Sequence, residues 1–331
     1  MKIHSMWDQY PLLQGELVAT NELLKKNITL KNQAVREAIL ARLLSGGKML
    51  RPAYCLLFSY YSPQRDAERA QAIAAALELL HTATLMHDDV IDEAGTRRGQ
   101  ETMNRAFGNQ IAVYSGDYLF TVCFRLLSEY AGDAAVLKID TNGMESILIG
   151  ELNQMDMRYN PDMRMRDYLR QIQGKTAQLF ALSCYAGAYG SDEDEKLARL
   201  AYRIGHDIGM AFQVMDDILD YTQDEETLGK PALSDFRNGI YTAPVLYAMQ
   251  VDRKAFAGYI AKGADVTAME LAEIHALVEK YGGNRAAQAL AKKYTIKALK
   301  LIKKLPNHPA KETLTKLTEQ LLYRNMEQSF C

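Results

Sequence analysis

Proline is scarce in this chain: eight occur among 331 residues, and none falls between Pro63 and Pro161. So long a stretch without a helix breaker, rich in alanine, leucine, methionine and glutamate and poor in strand formers, predicts long helices. Cysteine is scarcer still. Cys55, Cys123, Cys184 and Cys331 are scattered with no CxxC pair, which excludes a zinc site or a disulfide framework and suits reduced thiols. Charge of one sign is missing too, with 39 basic against 41 acidic residues and a net charge of −2. That balance argues against a nucleic-acid partner held by bulk electrostatics. The opening segment MKIHSMWDQYPLLQGEL has no apolar signal-peptide core, and no uninterrupted apolar run reaches transmembrane length. A cytoplasmic protein is expected.

What the chain does have is apolar residues, 48% of the total, enough for a sizeable core. The segment AQAIAAALELLHTATLMHDD (70–89) is apolar almost all round, as is ARLAYRIGHDIGMAFQVMDDILDYT (198–222). Helices of that kind belong in the middle of a bundle. Turn chemistry marks breaks at YYSPQRD, YNPDMR, YGSDEDE, LGKPALSDFRNG and LPNHPA, and no long polar linker separates them. The reading is a single all-α domain over 1–331 with about a dozen helices.

The stretch HDDVIDEAGTRRG (87–99) crowds carboxylates beside two arginines. Asp88 and Asp92 are four apart, so on a helix they stand one above the other, with Asp89 one step round. A solvated acidic helix end would explain one such cluster. The chain repeats it, however, at MDDILD, where Asp216, Asp217 and Asp220 have the same spacing inside another apolar helix. Half-buried carboxylate pairs are costly without a cation. Mg²⁺ favours one or two carboxylates together with substrate phosphates and water, so two such clusters point to a diphosphate site.

Other residues suit that site. His81 lies seven residues before Asp88, on the same helix face and about 10 Å away along the axis. A satisfied core histidine is the plain alternative, and alignment with the acidic face favours a ligand. GGKMLRP (46–52) sets Lys48 and Arg51 three apart at a glycine-opened helix start, which is either an anion cradle or an ordinary basic turn. Gln213 precedes Asp216 by three and Asp217 by four, so it faces the same cavity. Lys175 and Thr176 come from a GKT without the GxxxxGKT phosphate loop, which argues against nucleotide hydrolysis.

With GGKMLRP, HDDVIDEAGTRRG, GDYLF, GELNQ, YLRQIQGKTAQLF, AFQVMDDILDYT and LGKP in this order, the sequence resembles the trans-polyprenyl diphosphate synthases over nearly its whole length. The resemblance implies an isoprenoid-synthase-type helical bundle around a central cavity, the two motifs facing across its mouth. It implies head-to-tail addition of isopentenyl diphosphate to an allylic diphosphate, and three Mg²⁺ ions held by Asp88, Asp92 and Asp216 with Asp89, Asp217 and Asp220 in support. By the same resemblance Arg97, Lys175 and Lys230 hold the allylic diphosphate, while Lys48, Arg51, His81 and Arg98 hold that of isopentenyl diphosphate. Thr176 and Gln213 would stabilise the allyl cation. The assembly implied is a homodimer, or a heterodimer with a small subunit. One departure stands out: Ile240 and Tyr241 occupy the place where many relatives carry a further lysine.

Family members that make short products carry an aromatic four or five residues before the first aspartate. Here the positions hold Thr84 and Ala83, with Leu80 a turn below. One helical turn of about 5.4 Å is roughly one isoprene unit, so an open floor implies a product of roughly C30 to C40, suited to a quinone side chain, with geranylgeranyl diphosphate the fallback. A class I terpene cyclase would not need Lys48, Arg51 and His81, and a non-catalytic regulatory subunit would be expected to lose aspartates. The lysine-rich KKYTIKALKLIKKL (292–305) reads as a solvated helix face, with at most transient membrane contact.

Overall fold

The structure is a computed structural model that describes residues 3–44, 47–97, 99–130, 134–190, 194–222 and 233–327. It is all-α, as the composition predicts. The only strands among the described residues are β1 (Thr96–Arg97) and β2 (Gln100–Glu101), an antiparallel pair of two residues each. The helices are α1 (Pro11–Asn27), α2 (Gln33–Leu44), α3 (Leu50–Ser59), α4 (Ala67–Ile91), α5 (Met103–Phe107), α6 (Asn109–Tyr130), α7 (Ala134–Asp156), α8 (Met165–Ile172), α9 (Gln178–Ala188), α10 (Glu195–Thr222), α11 (Ser234–Arg237), α12 (Ala243–Val251), α13 (Lys254–Lys262), α14 (Ala268–Lys280), α15 (Gly283–Ile302) and α16 (Pro309–Glu327). Backbone contacts group them into two compact units, 1–142 with 179–202 and 305–314, and 143–178 with 203–304 and 315–331.

In the first unit α4 is the central element. Asp66 caps it by accepting a hydrogen bond from the Arg69 N–H at 3.1 Å, so the turn chemistry of YYSPQRD becomes a helix start. Every residue from Ala72 to Leu80 is buried, because α1, α2, α3, α5 and α6 pack around the helix. The small alanines at 72, 74, 75 and 76 let these neighbours approach. Burial eases towards the C-terminal end, where Asp88 is half-buried and Asp92 exposed.

In the second unit the apolar side of α10, with Val214, Met215 and Ile218, joins one core with Tyr168, Phe236, Phe256 and Ile274. Between α8 and α9 the chain forms a single π-helical turn, Gln173–Ala177. Ala291, Thr295, Ala298 and Ile302 on α15 are buried, while Lys292, Lys293, Lys297 and Lys300 are exposed, so its apolar face is spent on the protein's own core. No described helix is long and apolar enough to cross a membrane.

Candidate active site

The last two turns of α4 carry the first acidic cluster. The Asp92 N–H donates to the Asp88 carbonyl at 2.8 Å, which closes the helix with the two carboxylates one turn apart. Asp89 is the buried member of the cluster. It is 3% exposed, and Oδ1 accepts from Arg97 Nε at 2.6 Å. The β1–β2 hairpin makes this pairing possible by folding Arg97 back on the helix, through a turn in which Gly99 has φ +73°. Asp89, Arg97 and His81 line one cavity, along with Arg42, Glu78 and Gln100. The cavity brings His81 together with Asp89, whereas Asp88, with which its spacing aligned it, is not among the lining residues.

His87, just before the motif, packs on α6. Its Nε2 lies 3.3 Å from Asp117 Oδ1 and 3.2 Å from the Val113 carbonyl, and the ring is 5.5 Å from that of Phe120. Position 116 has to be glycine for this packing, since a Cβ there would sit 2.4 Å from His87 Nε2. The basic turn is also built in the first unit. Lys48 is exposed, and Arg51 lies in the first turn of α3 with its guanidinium 4.6 Å from the centre of the Phe180 ring.

The second unit builds the other cluster from α10, α8 and the π-turn. Asp216 is exposed, whereas Asp217 and Asp220 are buried. Asp217 accepts from the Tyr168 hydroxyl at 2.5 Å and from Gln213 Nε2 at 2.8 Å. Thr176 Oγ1 in turn donates to Gln213 Oε1 at 2.5 Å. Burial pushes the Asp217 carboxyl well above its ordinary range and the nearby charge of Asp235 adds to this, while the Tyr168 and Gln213 hydrogen bonds act against it. Lys175 Nζ donates to Glu151 Oε2 and Gln154 Oε1, each at 3.1 Å. Glycines at the crossing allow that contact. A Cβ on Gly174 would meet the Gly150 Cα at 3.0 Å, so the π-turn lies directly on the backbone of α7.

A profile of the polyprenyl synthetase family matches residues 32–276. The chain belongs to the polyprenyl synthetase family. Component 2 of heptaprenyl diphosphate synthase from Geobacillus stearothermophilus is 38% identical over 317 residues, 96% of this chain and 97% of that protein. The crystal structure of geranylgeranyl pyrophosphate synthase from Lactobacillus brevis ATCC 367 has a TM-score of 0.91 at 41% identity, covering 96% of this chain and 99% of the other. A polyprenyl synthase from Caulobacter crescentus CB15, complexed with calcium and isoprenyl diphosphate, has a TM-score of 0.87 at 31% identity, covering 95% and 96%. The all-α class and the synthase reading follow from these likenesses.

Within this synthase, the aspartates divide by environment. Asp88, Asp92 and Asp216 are on the more open sides of their helices, and Asp89, Asp217 and Asp220 are buried. No three His, Cys, Asp or Glu side chains converge into a ready metal cage among the described residues. The donors are all hard carboxylate oxygens, a set that fits Mg²⁺ or Ca²⁺ when phosphate and water complete the shell. Arg98 and Lys230, read as diphosphate ligands, lie outside the described residues. At the floor positions Ala83 is wholly buried, Leu80 is 4% exposed, and the Thr84 hydroxyl donates to the His81 carbonyl at 2.8 Å.

Sequence reasoning missed Tyr168, Glu151, Gln154, Arg42 and Asp235. Tyr168 and the Glu151–Gln154 pair sit in YLRQIQGKTAQLF and GELNQ, segments that carried the resemblance without being read for chemistry. Arg42 carried no signal, because only the fold brings α2 to the cavity. Tyr241, at the place of the missing lysine, is buried and packs 5.1 Å from Phe236, so the position is spent on the core.

Proposed function

We propose that the protein condenses isopentenyl diphosphate head-to-tail with farnesyl or geranylgeranyl diphosphate, working as a single catalytic domain. The observation that carries this is the repeated division of labour. In each cluster an open aspartate stands beside a buried one that the protein already holds, Asp89 through Arg97 and Asp217 through Tyr168 and Gln213. A carboxylate fixed in this way orients its neighbour.

Asp88, Asp92 and Asp216 would hold Mg²⁺, three ions in all, with Asp89, Asp217 and Asp220 behind them. The calcium and isoprenyl diphosphate bound in the Caulobacter relative support a divalent cation at such a site. When bound, the metal offsets the charge that grows on the leaving diphosphate. Arg97, Lys175 and Lys230 bind the allylic diphosphate, and Lys48, Arg51, His81 and Arg98 bind that of isopentenyl diphosphate. The allylic C–O bond breaks, the isopentenyl double bond adds to the allyl carbon, and the departing diphosphate takes the proton that restores a trans double bond. The Thr176 hydroxyl and Gln213 amide oxygens supply dipoles facing the cation.

Small residues at the floor positions, Ala83 and Thr84, with no aromatic there, support a product of roughly C30 to C40, one isoprene unit per helical turn. A chain of that length suits a menaquinone-type side chain. Likeness to a heptaprenyl synthase called component 2 supports work with a second subunit, and a homodimer is the other assembly consistent with the family. Action in the cytoplasm is the location proposed, and no described helix is long and apolar enough to cross a membrane. The test is Asp88→Ala and Asp216→Ala. Each should fold as the parent does and lose about a hundredfold or more in turnover at saturating Mg²⁺. Near-normal turnover in either would refute the assignment.

A further inference from the structure

We propose that Trp7 is a positioning residue for isopentenyl diphosphate: its indole N–H fixes the turn from which Lys48 and Arg51 reach the substrate. The proposal rests on the binding role given above to that turn. Trp7 is the sole tryptophan of the chain and is fully buried. It sits in a 3₁₀ turn, Ser5–Gln9, that is locked at both ends. His4 Nδ1 accepts from the Met6 N–H at 3.1 Å, and the Tyr10 N–H donates to the Trp7 carbonyl at 2.9 Å. The Tyr10 ring meets the indole edge-on at 5.8 Å, and α1 starts on the next residue. From this anchor Trp7 Nε1 donates to the carbonyl of Lys48 at 3.0 Å.

That carbonyl is a telling partner. It belongs to the peptide plane between Lys48 and Met49, and Met49 has φ +47° and ψ +39°, a left-handed conformation that residues with a Cβ disfavour. Three contacts hold it there. The Met49 side chain is buried at 5% exposure, its carbonyl accepts from the Ala53 N–H at 3.0 Å in the first turn of α3, and the indole grips the preceding carbonyl. The two cations are thus steadied differently. Arg51 is held through its side chain, over Phe180. Lys48 is exposed, so the anchor the fold gives it is its backbone, whose carbonyl Trp7 holds and from which its side chain starts. A cation aimed in advance saves ordering cost when the anion binds.

The experiment uses the full-length protein with Trp7→Phe, with the benzothiophene isostere of tryptophan at position 7 (same shape, no N–H), with Lys48→Ala, and with Trp7→Phe and Lys48→Ala combined. Thermal stability, kcat and the KM of each substrate are measured. Loss of one part-buried neutral hydrogen bond should raise the KM for isopentenyl diphosphate about fivefold in the isostere, leaving kcat and the allylic KM within about twofold. Trp7→Phe should do the same, and should add little once Lys48 is gone, because the two act through one contact. An isostere that lowers stability and leaves the isopentenyl KM unchanged would make Trp7 a structural anchor only and overturn the proposal. If Lys48→Ala itself leaves that KM unchanged, the binding role of the turn is wrong and the proposal falls with it, a result distinguishable from the first.

Discussion

The Nε of Arg97 lies 2.6 Å from Oδ1 of Asp89, so the middle carboxylate of the first acidic motif already has a cation from the protein itself. Asp89 is almost wholly buried and Arg97 is about one-third exposed, and removing the carboxylate strands a partly buried guanidinium. Asp89→Ala is therefore expected to cost about 1–3 kcal/mol of stability as well as activity. Asp88→Ala should lose activity with little change in stability. Thermal denaturation of the two variants side by side separates these roles, and equal melting temperatures would contradict the division.

Much of this was legible in the sequence, and what was not has a common cause. The almost wholly apolar segment 70–89 falls within α4 and supplies its fully buried stretch, Ala72 to Leu80, because a helix apolar nearly all round has nowhere else to go. Likewise 198–222 falls within α10, and LPNHPA separates α15 from α16. Local spacing set Gln213 four residues before Asp217, to which it donates, whereas for His81 it pointed to Asp88 and the cavity brings Asp89 instead. The Arg97–Asp89 pair was not legible, since it depends on a two-residue hairpin with almost no strand signature. The π-turn around Lys175 was hidden for a similar reason: it is stabilised where Gly174 meets Gly150 on another helix, a tertiary contact with no local pattern. The count of helices rose above the dozen expected because short segments such as α5 and α11 lack enough residues to show a period.

The Gly150–Gly174 crossing gives a second prediction. A Cβ on Gly174 would meet backbone at 3.0 Å, and backbone cannot swing aside as a side chain can. Gly174→Ala should push the π-turn off α7 and draw Lys175 away from Glu151 and Gln154. A rise in allylic KM of about tenfold, larger than any change in isopentenyl KM, is expected from steady-state kinetics. An unchanged allylic KM would mean that Lys175 is not placed by this crossing.

The floor reading is checked by filling it. Ala83 is fully buried above Leu80, so Ala83→Phe adds a ring inside the packed first unit. The variant should release products shorter by at least one isoprene unit, read by chromatography after phosphatase treatment. An unchanged product distribution would count against Ala83 as a determinant of length.

A pH prediction comes from the start of α14. Thr267 and Glu270 form a capping box there, and Glu270 also pairs with Lys262. The Lys262 hydrogen bond, then that from the Thr267 backbone, hold the Glu270 carboxyl down at about 2 from its ordinary 4.5. A depressed carboxyl stabilises the fold above its unfolded pKa, and that gain is lost as pH falls through the folded value. Glu270→Gln should thus be less stable than the parent at neutral pH and converge with it between pH 4.5 and about 2. Denaturant titrations at several pH values check this, and a gap that persists at pH 2 would contradict it.

Purified protein with Mg²⁺, labelled isopentenyl diphosphate and farnesyl diphosphate, its products sized by chromatography, decides whether the chain is a long-chain prenyltransferase. The account predicts a ladder of trans-polyprenyl diphosphates ending at roughly C30 to C40. If the protein alone is silent, adding cell extract should restore that ladder through a second subunit. A ladder that stops at C20 would keep the chemistry and contradict the open floor. No incorporation under either condition would contradict the prenyltransferase reading itself.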